Sequence, residues 1–110
     1  MERDFPETDW KTLSRLKPLA LDRLCQRILT TSEDIIVHAR EGGYHSAYLE
    51  LFKQIQTDDK TIGNCFNDWR RSQAFFILAK WRREKLITDE EFTGFSEVTC
   101  KAVESFLRRD

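Results

Sequence analysis

Apolar side chains recur every three or four residues along almost the whole chain, and no segment alternates apolar and polar residues as a strand would. Glycine and proline, which interrupt helices, number only 4 and 2 among the 110 residues. A chain with this periodicity can bury its apolar surface only by packing helices together. We therefore expect one all-α domain over residues 1–110, an irregular bundle of four main helices plus a short N-terminal helix.

The first half of the chain predicts this short helix and then a long one. Asp9 suits an N-cap, and Pro18 favours the first turn of the next helix, where its missing N–H costs nothing. The apolar spacing continues through "TTSED" to about Arg40. A break near residues 30–32 stays open as an alternative, because Ser and Thr compete for backbone hydrogen bonds. The glycine pair at 42–43 ends the helix.

The second half predicts three further segments. A third helix covers about 44–56, and a tight connection at "TDDK" separates it from a fourth helix over about 59–86. The inward positions of the third helix are Ala47, Tyr48, Leu51, Phe52 and Ile55. "TDEE" at 88–91 has the spacing of a capping box, and Ser96 caps a last helix.

The stretch "DWRRSQAFFILAKWRREK", residues 68–85, carries two apolar stripes on a helical wheel. We interpret the first stripe as the core side; it comprises Phe75, Phe76, Ala79 and Leu86. The second stripe has the spacing of a helix-packing ridge and comprises Ala74, Ile77, Leu78 and Trp81. Two interpretations of the second stripe stay open. Either its own chain covers it, which makes this a central helix, or a second copy of the chain does.

The function that we favour from these features is a small cytoplasmic, non-enzymatic interaction protein that pairs as a homodimer through the second stripe. Trp and Arg are enriched at the centres of interfaces. The interface candidates are therefore Ala74, Ile77, Leu78, Trp81, Arg70 and Lys85. A different protein is a further candidate partner.

Two alternatives belong to other classes of protein. A small nucleic-acid-associated regulator would use the basic residues Arg70, Arg71, Arg82 and Arg83. A ligand-binding bundle would hold an apolar molecule among the Phe and Trp side chains. The charge balance disfavours broad attraction to nucleic acid or to an anionic membrane, since 18 basic and 19 acidic residues leave a net charge of -1.

Membrane insertion and secretion are not expected. The longest apolar run, 74–79, is far shorter than the ~20 residues that span a bilayer. The charged N-terminus lacks the apolar core of a signal peptide, which favours a cytoplasmic location.

No catalytic residue, metal site or cofactor is expected either. Cys25, Cys65 and Cys100 lie far apart without metal-ligand spacing, so we predict three buried, unpaired thiols. The glycines at 42–43 separate His38 from His45, so no single helix fixes the two imidazoles as a metal-binding pair.

Overall fold

The computed structural model describes residues 4–108, which form six α-helices and no strand. The helices are α1 (Glu7–Val37), α2 (Ala39–Gly42), α3 (Tyr44–Ile62), α4 (Ala74–Arg83), α5 (Asp89–Phe92) and α6 (Glu97–Arg108). A π-helical turn, Gly63–Asn67, and a 3₁₀ turn, Arg71–Gln73, join α3 to α4. The all-α prediction is confirmed, with four of the helices long and two of only one turn. The molecule is elongated, with extents of 56 × 24 × 23 Å.

The separate N-terminal helix that the sequence predicted does not form, because α1 is continuous and Pro18 lies inside it. Proline in a helix interior removes one backbone hydrogen bond. Here that loss is outweighed by the burial of apolar side chains on both sides of Pro18, including Leu13, Leu16 and Leu24. Asp9, predicted to cap its own helix, is buried within α1 and caps α6 instead.

The second part of α1 confirms one long helix rather than a break near residues 30–32. The hydroxyls of Thr30 and Thr31 donate to the carbonyl oxygens of Gln26 and Arg27, at 2.8 and 3.1 Å. These bonds satisfy the hydroxyls inside the helix, so they do not compete with its backbone. The chain reverses at Gly43, whose φ of 97° lies in the region that favours glycine.

The predicted break at "TDDK" is wrong, since α3 runs through it to Ile62. The Gln54 amide donates to both carboxylate oxygens of Asp58 at 3.0 Å, one turn along the same helix. The interruption comes in the connecting turns between α3 and α4, where Cys65 and Phe66 are inserted into the core. The fourth helix is accordingly shorter than predicted and begins at Ala74.

Apolar burial is concentrated at one end of the molecule, which we call the base. The base consists of the first part of α1 (residues 7–24), the connecting turns, α4, α5 and α6, and it contains nearly all of the buried side chains. The remainder of α1 (residues 25–37), with α2 and α3, forms a helical hairpin that we call the arm. Within the three helical segments of the arm, Ser32 is the one buried residue.

Polar contacts fix the helix ends within the base. The capping box at 88–91 is confirmed, since the Glu91 N–H donates to Thr88 Oγ1 at 3.0 Å and the Thr88 N–H donates to Glu91 Oε1 at 2.8 Å. Ser96 precedes α6 and accepts from the Thr99 N–H at 3.4 Å, as a cap residue should. The carboxylate of Asp9 accepts from the Ser96 N–H at 3.0 Å and so ties α1 to the start of α6.

Candidate interaction surface

The ridge that was predicted as a dimer seam lies in the core of the base. Ala74, Leu78 and Trp81 have no exposed surface, and Ile77 is 4% exposed. The predicted core stripe is buried only in part, because Ala79 and Leu86 are buried whereas Phe76 is 49% exposed and Phe75 is half-buried. The central-helix interpretation is the one that the burial supports. A second copy could reach this ridge only if the base opened.

The chain's own aromatic residues cover Trp81. Its indole N–H donates to the carbonyl oxygen of Cys65 at 3.0 Å. The rings of Phe66 and Trp69 lie 5.5 and 6.0 Å from the Trp81 ring, between centroids. Trp10 of α1 packs on Trp69 at 5.1 Å. The connecting turns between α3 and α4 thus supply the contacts that the homodimer hypothesis gave to a second copy of the chain.

The other two interface candidates, Arg70 and Lys85, are exposed. The Arg70 guanidinium donates to both Asp68 oxygens, at 2.7 and 2.9 Å. This hydrogen-bonded pair holds the pKa of Asp68 below its usual range and raises that of Arg70. Lys85 has a φ of 59° and lies just beyond the end of α4. Neither residue extends an apolar surface.

The arginines of the nucleic-acid alternative are engaged by the chain itself. Arg70 pairs with Asp68, as described above, and Arg71 Nε donates to the carbonyl oxygen of Phe5 at 2.8 Å. Arg82 pairs with Asp89 at 2.8 Å, and its guanidinium lies 4.4 Å from the centroid of the Phe92 ring. Arg83 is exposed. Phosphate binding by Arg71 or Arg82 would compete with contacts that join separate parts of the chain.

The alternative of an apolar ligand would need open space among the Phe and Trp side chains. In the base, these aromatic side chains fill the interior. Phe5 packs edge-to-face on Phe75 at 4.9 Å, beside the Trp and Phe cluster around Trp81. Surface depressions of about 150, 170 and 440 Å³ lie elsewhere and are lined mainly by polar and charged side chains. These depressions do not resemble the mostly apolar pockets that bind small molecules.

A narrow seam holds the two long helices of the arm together. On α1 the residues turned toward α3 are Ile28, Ser32, Ile35 and Ala39, the last of them in α2. On α3 they are Ala47, Leu51, Gln54 and Asp58. Both sets are spaced by four, three and four residues, as in an antiparallel coiled coil. Five of these eight residues are polar or alanine, so little apolar surface is buried between the two helices.

One side of the arm carries large exposed apolar side chains, and we call this side the arm face. It comprises Leu29, Ile36, Tyr44, Tyr48, Phe52 and Ile55. Their exposed fractions lie between 44% and 69%. On each helix these positions lie roughly 50–130° past the seam in the same rotational sense, at 100° per residue. Because the helices are antiparallel, the same sense on both turns the two stripes to one side of the arm.

The opposite side of the arm is polar, which confirms this arrangement of sides. A depression of about 150 Å³ brings together Asp34 and His38 of one helix end and Ser46 and Glu50 of α3. Each of these residues lies on the other side of the seam from the arm face. The His38 ring contacts the Asp34 carbonyl oxygen at 2.8 Å. The arm therefore has its main apolar side on the arm face and a polar side opposite, while Val37 and Leu49 are exposed away from the seam.

The arm face was missed because the stripe on α3 was predicted to point inward as a whole. Ala47 and Leu51 do turn toward α1, but Tyr48, Phe52 and Ile55 are exposed. The width of the apolar stripe on α3 could have predicted that part of it is exposed. Apolar positions on α3 extend over more than a third of the helix circumference, which is wider than a single neighbouring helix covers.

The buried carboxylate of the base, Asp9, is held in hydrogen bonds that connect two helices. Asp9 is 3% exposed, and its Oδ2 accepts from the hydroxyls of Ser96 and Thr99 at 2.6 and 2.5 Å. A second pair joins α1 to α5, where Arg23 donates to both Glu91 oxygens at 2.6 and 3.0 Å. That bond lowers the pKa of Glu91 and raises that of Arg23. Both carboxylates accept bonds that orient helices.

The thiols depart in part from the prediction. Cys65 is 2% exposed as predicted, and burial raises the pKa of its thiol. Cys25 and Cys100 are half-buried rather than buried. The Cys100 thiol donates to the Phe92 carbonyl oxygen at 3.4 Å, and burial raises its pKa as well.

Residues 4–108 contain neither a metal-ligand cluster nor a helix suited to cross a membrane. No group of three or more His, Cys, Asp or Glu side chains in this range is arranged to hold a metal ion. None of its helices combines the length and the apolar character needed to cross a bilayer.

No protein-family model matches the chain, and no curated protein or solved structure is significantly similar to it.

Proposed function

We propose that this chain is a cytoplasmic, non-enzymatic interaction protein and that the arm face is its binding surface. The observation that carries the proposal is the exposure of six large apolar side chains on one side of the arm. Taking roughly 150–250 Å² for a whole aromatic side chain, they present on the order of 700 Å² per chain. The largest apolar patch of a typical monomer is about 300–600 Å², and patches of that size and above mark interaction sites.

The chemistry of the arm face favours a protein partner that is itself apolar and helical. The six side chains follow two parallel lines along α1 and α3, at the spacing by which an amphipathic helix presents its anchors. Tyr48 and Phe52 stack with their ring centroids 6.4 Å apart and form an aromatic anchor. Aromatic anchors of this kind dominate the energy of many interfaces.

The rest of the molecule supports the non-enzymatic part of the proposal. The buried Asp9 carboxylate accepts three hydrogen bonds that fix α1 against α6, which is a structural use. The buried thiol of Cys65 supports the cytoplasmic part, because a reducing compartment keeps such thiols unpaired.

A photo-cross-linking amino acid placed on either side of the arm tests the proposal. Position 52 lies on the arm face, and position 53, where Lys53 is exposed, lies on the polar side of the same helix. We expect protein adducts in cells from position 52 and few from position 53. Equal adduct yields from the two positions, or none from position 52, would contradict the proposal. The adduct mass also distinguishes a second copy of the chain from another protein.

A further inference from the structure

We infer that the occupant of the arm face is a second copy of this chain, docked face to face and turned end for end. This inference rests on the proposed function and adds the identity and orientation of the partner. In such a pair α1 of one copy lies antiparallel to α1 of the other, and the two α3 helices pair in the same way. The twofold axis crosses the middle of the arm.

The size and shape of the arm face suit a copy of itself. Two antiparallel helices with one shared apolar side are half of a four-helix bundle, and a second hairpin completes the bundle. The face presents on the order of 700 Å², close to the roughly 800 Å² per partner of a standard stable interface. Within the arm, the seam buries few large side chains, so a pair would give both helices the core that they lack.

Charge along the rim of the arm face selects the end-for-end orientation. Near the base the rim carries Asp22 on α1 and Asp59 on α3, whereas near the tip it carries Arg40. All three are exposed and lie roughly 110° past the seam, on the side of the arm face. Turning one copy end for end sets Arg40 of each copy near Asp22 of the other. Aligning the copies in the same direction would instead bring Asp22 of one toward Asp59 of the other.

A depression on α1 is a suitable binding site for Arg40 of the second copy. It has a volume of about 440 Å³, and its lining includes the carboxylates Asp22 and Glu33 and the apolar side chains of Cys25 and Leu29. An arginine combines a cationic head with an apolar stem. Arg40 of a second copy matches the depression in both respects, and the end-for-end orientation brings it there.

Sedimentation velocity over a concentration series tests the pair, with far-UV circular dichroism as the check on folding. The wild-type chain should sediment as a dimer well below ~100 µM, since a modest specific interface supplies micromolar affinity. Leu29→Glu should weaken the dimer by more than about tenfold, because it desolvates one carboxylate in each copy. Asp34→Glu and Lys53→Glu, on the polar side of the arm, are matched controls that should leave the affinity unchanged.

Charge reversal then tests the orientation. Asp22→Arg and Arg40→Asp should each weaken the dimer about two- to thirtyfold, the range for exposed ion pairs counted twice, and the double variant should recover wild-type affinity. A tighter dimer with Asp22→Arg alone would overturn the orientation, because the carboxylate near it would then be Asp59. A wild-type chain that stays monomeric at ~100 µM, above micromolar affinity, overturns the whole inference. In that case, cross-links from position 52 to a different protein would leave the proposed function intact.

Discussion

The base and the arm are built from the same kind of amphipathic helix and differ in how many neighbours each helix has. In the base, α4 is packed by α6, by α1 and by the connecting turns, and both of its apolar stripes are at least partly covered. In the arm, α3 has α1 as its one long neighbour, and half of its apolar circumference is left exposed. The number of neighbouring elements, rather than the hydrophobicity of a helix, decides which stripe becomes core and which becomes surface.

Paired alanine substitutions should give the largest contrast between the two regions. Trp81→Ala should lower the free energy of unfolding by about 3–5 kcal/mol, because it empties a fully buried site and removes the bond to the Cys65 carbonyl. Phe52→Ala, which removes a ring that is 53% exposed, should lower it by less than about 1 kcal/mol. Chemical denaturation of dilute protein, where a homodimer is dissociated, measures both changes.

A similar loss from the two substitutions would contradict the distinction between base and arm. Phe76→Ala is a useful third member of the series. Phe76 belongs to α4 but is 49% exposed and stacks on Phe106 at 5.0 Å. Its loss should fall between the other two, since one face of the ring is covered and the other is not.

Local signals in the sequence predicted much of the fold. The three- and four-residue spacing predicted helices throughout, the capping box at 88–91 is present, and the turn after α2 uses Gly43 at positive φ. These features depend on residues within one turn of each other. The breaks were predicted less well. At Pro18 the burial of side chains on both sides outweighed the lost hydrogen bond, and at "TDDK" the helix continues with the Gln54–Asp58 hydrogen bonds along it.

The candidate surface depended on information that no local pattern contains. The wheel of α4 separated its two stripes correctly, but their assignment required the position of Cys65, Phe66 and Trp69, which reach Trp81 from outside the helix. The stripe on α3 was recognised as apolar, yet its exposure follows from the absence of a third long helix beside the arm within residues 4–108. Both errors concern which element lies next to which.

A substitution at Asp9 should show how far the base depends on polar contacts between distant elements. Asp9→Ala removes the acceptor for Ser96 and leaves the Thr99 hydroxyl, which is fully buried, with one bond fewer. We expect a loss of about 2–3 kcal/mol, the scale of hydrogen bonds to a buried charged group. Lys11→Ala, an exposed change on the same helix, is the control for thermal or chemical unfolding. Equal effects would show that Asp9 does not hold α6.

The Arg23–Glu91 pair should make the stability of the base depend on pH. The Arg23 hydrogen bond holds the folded-state pKa of Glu91 below its ordinary value of 4.5. The stabilisation of the folded state by the ionised Glu91 carboxylate is therefore present above pH 4.5. It is lost as the pH falls below that value toward the folded-state pKa. Arg23→Ala should cost about 1 kcal/mol at neutral pH and less in acid, as measured by denaturation at several pH values. A cost that does not change with pH would assign the effect to the bond from Arg23 to the Leu86 carbonyl.

The smallest expected effect has the opposite sign and lies in the arm seam. Ser32 is 7% exposed, and its hydroxyl oxygen is buried without a hydrogen-bond partner among the described residues. Ser32→Ala removes this unsatisfied group and favours the helix, so it should raise the free energy of unfolding by about 0.5–1 kcal/mol. Ser46→Ala, an exposed position on the polar side, should change it by less than about 0.5 kcal/mol. Hydrogen exchange of the α3 amides would locate the gain, since amides that exchange by local opening of the arm should slow. A loss of stability on Ser32→Ala would mean that the hydroxyl finds a partner in solution, and the seam would then be more polar than its packing indicates.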